Sequence, residues 1–239
     1  MIKKLRITFL LALALALTSL PSVQVNAEGS AETVSNYAEL KAAVDNDTVT
    51  HITLAKDIEL EKATVNSKER YVLLITRPLT IDGAGHTLSA PHTVGWESDY
   101  IIQAFKTKDV VLKDIKLTGG DAGLLVNSSE VTLKGVVDVS GNEFGGIEVS
   151  HGKNPSDYLN LTIEGTLVNS TEHENAPTIW VENAGKWDTV VKGNNNVQFV
   201  VKEDVKDGTQ TYLFLKTATV YNYEQLAAAN KNENVTHIT

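Results

Sequence analysis

Residues that could act as catalysts or zinc ligands are spread along this chain without the spacings that such chemistry uses. The six histidines form neither a His-x-His pair nor a His-Glu-x-x-His motif, so the sequence carries no zinc signature. No Gly-x-Ser-x-Gly sequence is present, and a serine hydrolase therefore has little support. Gly83-Ala84-Gly85 lacks the third glycine and the following helix of a dinucleotide-binding loop, so it is interpreted as a turn.

Three aspartates could supply oxygen ligands for a hard cation. Asp114, Asp121 and Asp138 all lie in polar turn-like segments, and calcium prefers such ligands. Aspartate is also an ordinary turn residue, so the same three side chains can be explained without a metal. We therefore expect no resident cofactor and no metal site, with calcium kept as an alternative.

A tryptophan predicted to face outward is the residue best suited to ligand binding. In Ile179-Trp180-Val181 the alternation of a strand puts the two aliphatic residues inward and Trp180 outward. An exposed indole can lie flat on a sugar ring or anchor a protein partner. Glu148 faces outward on a neighbouring strand by the same count, so Trp180 and Glu148 form the predicted ligand-binding site. The alternative is that Trp180 packs beneath residues 152–157 or the loop around Trp187.

The N-terminus is predicted to be a signal peptide over residues 1–27. A basic start is followed by the apolar stretch Ile7–Leu20, whose 14 residues are fewer than the ~20 needed to span a bilayer. Val25-Asn26-Ala27 then supplies the small-residue cleavage pattern.

Charge and cysteine content narrow the class of the exported chain. Without residues 1–27 it has 18 Lys and Arg against 30 Asp and Glu, a net charge of −12, which would repel nucleic acid. There is no cysteine, and the remaining 212 residues can bury a core without disulfides. Export without disulfides favours a secreted or cell-surface protein of a Gram-positive cell wall.

One segment of the sequence occurs twice. Residues 33–53 and 219–239 share 13 identities in 21 positions at a constant offset of 186. Both copies predict a helix with an asparagine N-cap and an acidic or amide residue three positions later, a capping-box arrangement. We therefore divide the chain into a signal peptide (1–27), one module (28–218) and the start of a second module (219–239). We expect the protein to continue past Thr239, and we expect this end to be frayed or loosely docked.

Between the two copies the pattern changes to short β-rich runs separated by Gly, Asn and Asp. Aliphatic residues mark one set of strands at steps of 21 to 31 residues, and a second set alternates with it. The markers of the first set are Ile81, Leu112, Leu133, Ile163 and Val191. Such a pattern favours an all-β, right-handed parallel β-helix over a β-sandwich, with the first helix capping the open end of the solenoid.

Two stretches resemble a known family. They are Asn36–Leu40 with Val49–Leu54, and Ile75–Leu88, which contains Thr-Ile-Asp-Gly-Ala-Gly-His-Thr-Leu. Together with the strand pattern over about 33–216, they resemble the pectate lyase-like superfamily of right-handed β-helices. In particular, they resemble the pectate lyase-like adhesive domains of Gram-positive cell-surface proteins. The second stretch is common to many β-helix proteins, so it indicates fold rather than activity.

The sequence departs from the catalytic members of that superfamily. Those enzymes carry a Trp-Ile-Asp-His segment, an arginine that abstracts the proton next to the uronate carboxylate, and aspartate ligands for calcium. Trp-Ile-Asp-His is absent here, and after residue 27 the arginines are Arg70 and Arg77, both early in the strand pattern. Arg77 precedes Pro78, which favours an extended structural position.

The resemblance and its departures imply a function. The leading hypothesis is a secreted, non-catalytic adhesin module that binds a polysaccharide or an extracellular protein through the solenoid flank, with tandem modules in the same chain. A calcium-dependent polysaccharide lyase with a lysine or arginine base is the first alternative. A passive surface spacer is the second.

Overall fold

A computed structural model describes residues 29–91, 97–153, 158–170, 176–182, 187–195, 197–203, 210–218, 220, 223–231, 235 and 237–238. The predicted signal peptide lies outside the described residues. Among the helices of the described part, none has the length and apolar character needed to cross a membrane.

The chain is built mainly from short strands. In chain order they are β1 (Ser30–Val34), β2 (Val49–Leu54), β3 (Ile58–Glu59), β4 (Lys62–Val65), β5 (Lys68–Tyr71), β6 (Leu73–Ile75), β7 (Leu79–Asp82), β8 (Thr87–Ser89), β9 (Tyr100–Phe105), β10 (Val110–Thr118), β11 (Ala122–Asn127), β12 (Glu130–Asp138), β13 (Gly145–Ser150), β14 (Asn160–Ile163), β15 (Thr166–Val168), β16 (Ile179–Glu182), β17 (Val191–Gly193), β18 (Phe199–Glu203), β19 (Gln210–Leu215), β20 (Thr217–Ala218) and β21 (His237–Ile238). The helices are α1 (Tyr37–Asp45), α2 (Trp187–Val190) and α3 (Tyr223–Lys231).

Two large sheets account for most of these strands. A ten-stranded sheet follows the order β1-β2-β7-β10-β12-β14-β17, with β3, β8 and β15 beside it, and a seven-stranded sheet follows β18-β19-β16-β13-β11-β9-β6. From β9 to β14 successive strands alternate between the sheets, and within each sheet they pair in parallel. The predicted all-β, parallel architecture is confirmed. The four-residue helix α2 was not predicted.

The predicted inward markers form the core of the ten-stranded sheet. Leu112 pairs with Ile81 on one side and with Leu133 on the other, and all three are almost fully buried. The fifth marker was assigned wrongly, because Val191 pairs with Leu161 and not with Ile163. Leu161 and Ile163 are two positions apart and both are buried. Alternation alone therefore cannot show which of them pairs with Val191.

A sharp bend divides β10 and β12. Asp114 has φ +45° and Gly135 has φ +60°, and the pairing of the two strands shifts register between Lys113 and Ile115. Because the bend adds one residue, Leu112 and Ile115 both point into the core.

The first helix begins with the predicted cap. The Asn36 side chain accepts a hydrogen bond from the Glu39 N–H at 2.9 Å, and Glu39 accepts one from the Ser35 N–H at 2.7 Å, one residue before the cap. Leu40, Ala43 and Val44 are buried beneath the helix. Residues 30–34, just before this helix, form the edge strand β1. Edge strands tolerate polar residues because solvent meets one side of them.

The second copy of the repeated segment adopts the same local structure as the first. Helix α3 has the bounds of α1 shifted by 186 residues. Thr217 pairs with His237 in the parallel register in which Ala31 pairs with His51. In the described residues, both copies therefore contain a helix and a parallel strand pair in the same register, and β20 begins at Thr217.

The parallel stacking ends at an antiparallel pair. Strand β19 pairs antiparallel with both β16 and β18. Lys216 is the single residue between β19 and β20, and its N–H donates to the Gln198 carbonyl at 3.0 Å. The repeated element therefore follows the first unit with no linker.

Candidate functional site

The two predicted ligand-binding residues lie side by side on the outer face of the seven-stranded sheet. Glu148 pairs with Trp180 between β13 and β16, and Trp180 pairs with Tyr212 between β16 and β19. The neighbours of Trp180 in sequence, Ile179 and Val181, are buried, so the predicted alternation holds. We call the cross-strand positions Gln103, Leu125, Glu148, Trp180 and Tyr212 the outer row.

Trp180 is half-buried, and its aromatic neighbour was not predicted. The Phe144 ring meets it edge-on, with centroids 5.8 Å apart and an interplanar angle of 81°. Trp187, one of the packing partners considered from sequence, makes a similar contact with Phe199 instead, at 6.2 Å and 83°. The other expected partner, residues 152–157, lies mostly outside the described residues. Phe144 therefore packs against the indole at close to a right angle.

The Glu148 carboxyl has a raised pKa. The Tyr100 hydroxyl donates to Glu148 Oε2 at 2.5 Å. Burial raises the pKa of Glu148 to about 7; the Tyr100 hydrogen bond opposes this rise and the nearby Glu182 carboxylate adds to it. Glu148 is consequently part protonated near neutral pH.

A second carboxylate joins the site from the next outward position of β16. Glu182 accepts a hydrogen bond from the Ser150 hydroxyl on β13 and pairs with Gln210 across the sheet. Sequence reasoning did not include Glu182. The period-two count that placed Trp180 outward would have placed Glu182 outward as well, because the two are separated by one residue.

A buried acceptor without a partner lies on β11, across the sheet from Ser150. Asn127 pairs with Ser150 between β11 and β13, and its Oδ1 atom is buried with no hydrogen-bond partner. We call Asn127, Ser150, Glu182 and Gln210 the second row. An unpaired buried acceptor carries a desolvation cost.

The β4–β5 hairpin packs near one end of the outer row. Val72, Tyr100, Ala122 and Leu125 form a small buried apolar cluster, and Val65 of the hairpin packs on it. Tyr100 is the first residue of β9. Burial, followed by the charge of Glu148, raises the pKa of the Tyr100 hydroxyl, which therefore keeps its proton.

The three aspartates considered for calcium do not form one site. Asp121 is fully buried, and its Oδ2 accepts the N–H groups of Glu97 and Asp99 at 3.0 and 2.8 Å. Asp114 accepts the Val136 N–H, and Asp138 accepts the Ser140 N–H. Within the described ranges, no group of three or more His, Asp or Glu residues is arranged to hold a metal ion.

A groove of about 650 Å³ lies at the bend of the ten-stranded sheet, away from the outer row. Its charged lining residues are Asp82, Lys113, Asp114, Lys116 and Asp138. Lys113 Nζ lies 2.7 Å from Asp82 Oδ2, and Lys116 Nζ lies 3.7 Å from Asp138 Oδ2. Burial opposes ionisation of Asp82, yet the Lys113 ammonium and the Ala84 N–H lower the pKa of that carboxyl.

Neither Lys113 nor Arg77 has the environment of a catalytic base. The hydrogen bond to Asp82 raises the pKa of Lys113, so the amine keeps its proton. The Arg77 guanidinium donates to the carbonyls of Ala43, Val44 and Val49 at 2.9, 3.0 and 2.5 Å. Arg77 thus ties the end of α1 to the start of β2, in agreement with the predicted structural position.

Comparison with known proteins finds a family match for the first part of the chain. Residues 31–145 match the model of the family described as "Putative pectate lyase-like adhesive domain". The family resemblance seen in the sequence is confirmed over these residues. No curated protein and no solved structure matches the chain. The match ends at Gly145, so Glu148, Trp180 and Glu182 lie beyond it.

Proposed function

We propose, because residues 31–145 belong to the pectate lyase-like adhesive domain family, that this protein is a non-catalytic adhesin-type module. It binds a polysaccharide or an extracellular protein through the outer row. The observation that carries the proposal is the half-buried Trp180 beside the Glu148 carboxyl on the outer face of the seven-stranded sheet. Aromatic side chains flanked by hydrogen-bonding groups suit sugar rings and protein partners.

We further propose that the two sheets are walls of a right-handed parallel β-helix. The alternation of strands from β9 to β14 between the sheets supports this, as does the parallel pairing of these strands within each sheet. Helix α1 then caps the first coil, because its apolar side is buried and Arg77 ties it to β2. A solenoid needs such a cap, since its end coil would otherwise expose the core.

The binding proposal is tested by replacing Trp180 with alanine. The purified protein is titrated against immobilised cell-wall polysaccharides, mucin, plant polysaccharides and matrix proteins. We expect a bound ligand and at least about a tenfold loss of affinity in Trp180→Ala. Thr132→Ala, which changes an outward residue of the other sheet, should bind like the wild type. Failure to bind any of these ligands contradicts the proposal, and unchanged binding by Trp180→Ala favours a passive spacer.

A calcium-dependent polysaccharide lyase is the rival activity, and the groove at the bend is where it would reside. Lys113 is held protonated by Asp82, and Arg77 is occupied by backbone carbonyls, so neither of these two residues is placed to act as the base. Incubation with polygalacturonate and calcium tests it directly. Growth of unsaturated-uronate absorbance would contradict the non-catalytic proposal.

We also propose that the protein is exported to the cell surface and carries tandem modules that raise avidity. The second copy supports this, because its described strands and helix follow those of the first while two of its large apolar side chains are exposed. Leu40 is 0% exposed, whereas the equivalent Leu226 is 42% exposed and Tyr223 is 82% exposed. In the first copy, the strands that follow β2 along the chain form the module whose end α1 caps. Detection of the protein on intact cells by surface labelling tests the location.

A further inference from the structure

We propose that binding of an uncharged glycan at the outer row is coupled to uptake of a proton by Glu148, so that the affinity falls as the pH rises through neutrality. This inference rests on the proposed binding function and adds a regulation of the same site. An uncharged glycan is the relevant ligand, because a cationic one would instead stabilise the carboxylate by its charge.

Glu148 lies between two apolar neighbours on the sheet. It pairs with Leu125 of β11 on one side and with Trp180 of β16 on the other. Leu125 is buried in the small cluster that contains Tyr100, whose hydroxyl donates to Glu148 Oε2 at 2.5 Å. Of the described residues, the two that shift the pKa of Glu148 by charge or hydrogen bonding are Tyr100 and Glu182, and neither is a cation. Further loss of water around this carboxyl would therefore favour its neutral form.

A ligand that rests on Trp180 would also cover Glu148. The two residues are paired on neighbouring strands, which lie about 4.8 Å apart, so a sugar ring on the indole extends over the carboxyl. Both side chains are half-buried in the free protein, and each still has surface that a ligand can take from water. Binding would bury Glu148 more deeply and raise its pKa further. Because the bound form then carries more protons than the free form, the affinity falls as the pH rises.

A ligand hydroxyl that donates to Glu148 would act in the opposite direction, because it would stabilise the carboxylate. Two features make this opposing effect the smaller one. Oε2 already accepts from Tyr100, yet the pKa of Glu148 is raised to about 7, so burial outweighs a hydrogen bond at this position. The Glu182 carboxylate also raises the pKa of Glu148, and excluding water strengthens the repulsion between the two charges. The net result is uptake of a proton.

Other ionisable groups lie on the hairpin, on the strands of this sheet and on the turns beside them. They are Arg70, Asp121, Glu143, His151, Lys202 and Tyr212. Arg70 and Asp121 act on the Tyr100 hydroxyl, and their charges have opposite effects on its pKa. His151 follows β13, and its Nδ1 lies 3.4 Å from the Ser128 hydroxyl. Because histidine is the residue type that ordinarily ionises near neutral pH, a variant of His151 is the necessary control.

The test measures proton uptake directly with probes that do not ionise. A glucose hexamer and an N-acetylglucosamine hexamer are titrated into the full chain by calorimetry between about pH 5.5 and 9, each in two buffers that differ in heat of ionisation. We expect an affinity that falls about tenfold between about pH 6 and 9. The dependence of the heat on the buffer should show uptake of about half a proton per binding event near pH 7.5.

Four variants separate Glu148 from other ionising groups. Glu148→Gln should bind with an affinity that does not change with pH. Tyr100→Phe removes a hydrogen bond that lowers the pKa of Glu148, so the midpoint of the profile should move to higher pH. Glu182→Gln removes a charge that raises this pKa, so the midpoint should move to lower pH. His151→Gln should leave the profile unchanged, and circular dichroism checks that each variant is folded.

Separate outcomes identify what has failed. An affinity that does not change with pH, or release of a proton on binding, contradicts the inference and leaves the adhesin proposal in place. So does a pH dependence that persists in Glu148→Gln and disappears in His151→Gln. If Glu148→Gln does not fold, the opposite midpoint shifts of Tyr100→Phe and Glu182→Gln still decide. If neither hexamer binds at any pH, the inference is wrong, and the adhesin proposal fails with it only when the polysaccharides and proteins of the binding panel also go unbound.

Discussion

At the scale of single residues, the ionisation of Glu148 affects the stability of the folded state. Its pKa rises from an ordinary value of 4.5 to about 7 on folding, chiefly because it is buried. The folded protein therefore holds this proton more tightly than the unfolded chain does. The corresponding stability is complete below about pH 4.5 and is lost as the pH rises through about 7.

Glu148→Gln should remove this pH dependence. The amide imitates the protonated carboxyl and can still accept from Tyr100, so the variant should be more stable than the wild type above pH 7. The gain is on the order of 1–3 kcal/mol, since one pKa unit is worth about 1.4 kcal/mol. Urea unfolding of both proteins at pH values on either side of this window measures it. Parallel curves for the two proteins would show that Glu148 titrates normally.

Arg77→Ala should destabilise the protein by about 2–4 kcal/mol. The substitution leaves three carbonyls at the junction of α1 and β2 without their charged donor, and hydrogen bonds to charged groups contribute about 1.5–3 kcal/mol each. Denaturant unfolding measures the loss. Lys41→Ala serves as the control, because its ion pair with Asp45 is exposed and should contribute less than about 0.5 kcal/mol. Equal effects of the two substitutions would contradict the assigned role.

At the scale of elements, the bend in the ten-stranded sheet depends on Gly135. A Cβ there would lie 2.0 Å from Asp114 Oδ1, the atom that accepts the Val136 N–H. Gly135→Ala must therefore displace Asp114 as well as adopt a positive φ, and we expect a loss of about 2–3 kcal/mol. Gly85→Ala is the matched control, because its φ is +86° but open space surrounds it. Gly85→Ala should lower the free energy of unfolding by only about 1 kcal/mol. Equal losses for Gly135→Ala and Gly85→Ala in urea unfolding would show that the contact with Asp114 contributes nothing.

The elements also show what sequence can and cannot predict. Alternation correctly placed Ile81, Leu112 and Leu133 in the core, because period two is read directly from neighbouring residues. It could not fix the register of Val191, and it missed the edge strand at 30–34, whose residues are mostly polar. At the site it found the Trp180 and Glu148 pair but not Phe144. That contact depends on how a turn folds over a strand distant in sequence.

At the scale of the whole molecule, the two copies of the repeat should differ in stability although their backbones agree. Leu40→Ala should cost about 2–5 kcal/mol because the side chain is fully buried. Leu226→Ala, at the equivalent position, should cost less than about 1 kcal/mol because Leu226 is 42% exposed. Thermal and urea unfolding of the two variants compares them. A loss in Leu226→Ala as large as that in Leu40→Ala would show that α3 is covered in solution.

The single residue between β19 and β20 also determines how tension would pass along the chain. A flexible linker lengthens before it transmits force, whereas Lys216 has no slack and is held by Gln198. A pull on the second unit would therefore reach β19 at once and act along the strand. Strand β19 pairs antiparallel with β16 on one side and with β18 on the other. A force along β19 would therefore shear the hydrogen bonds of both pairs together rather than break them one at a time.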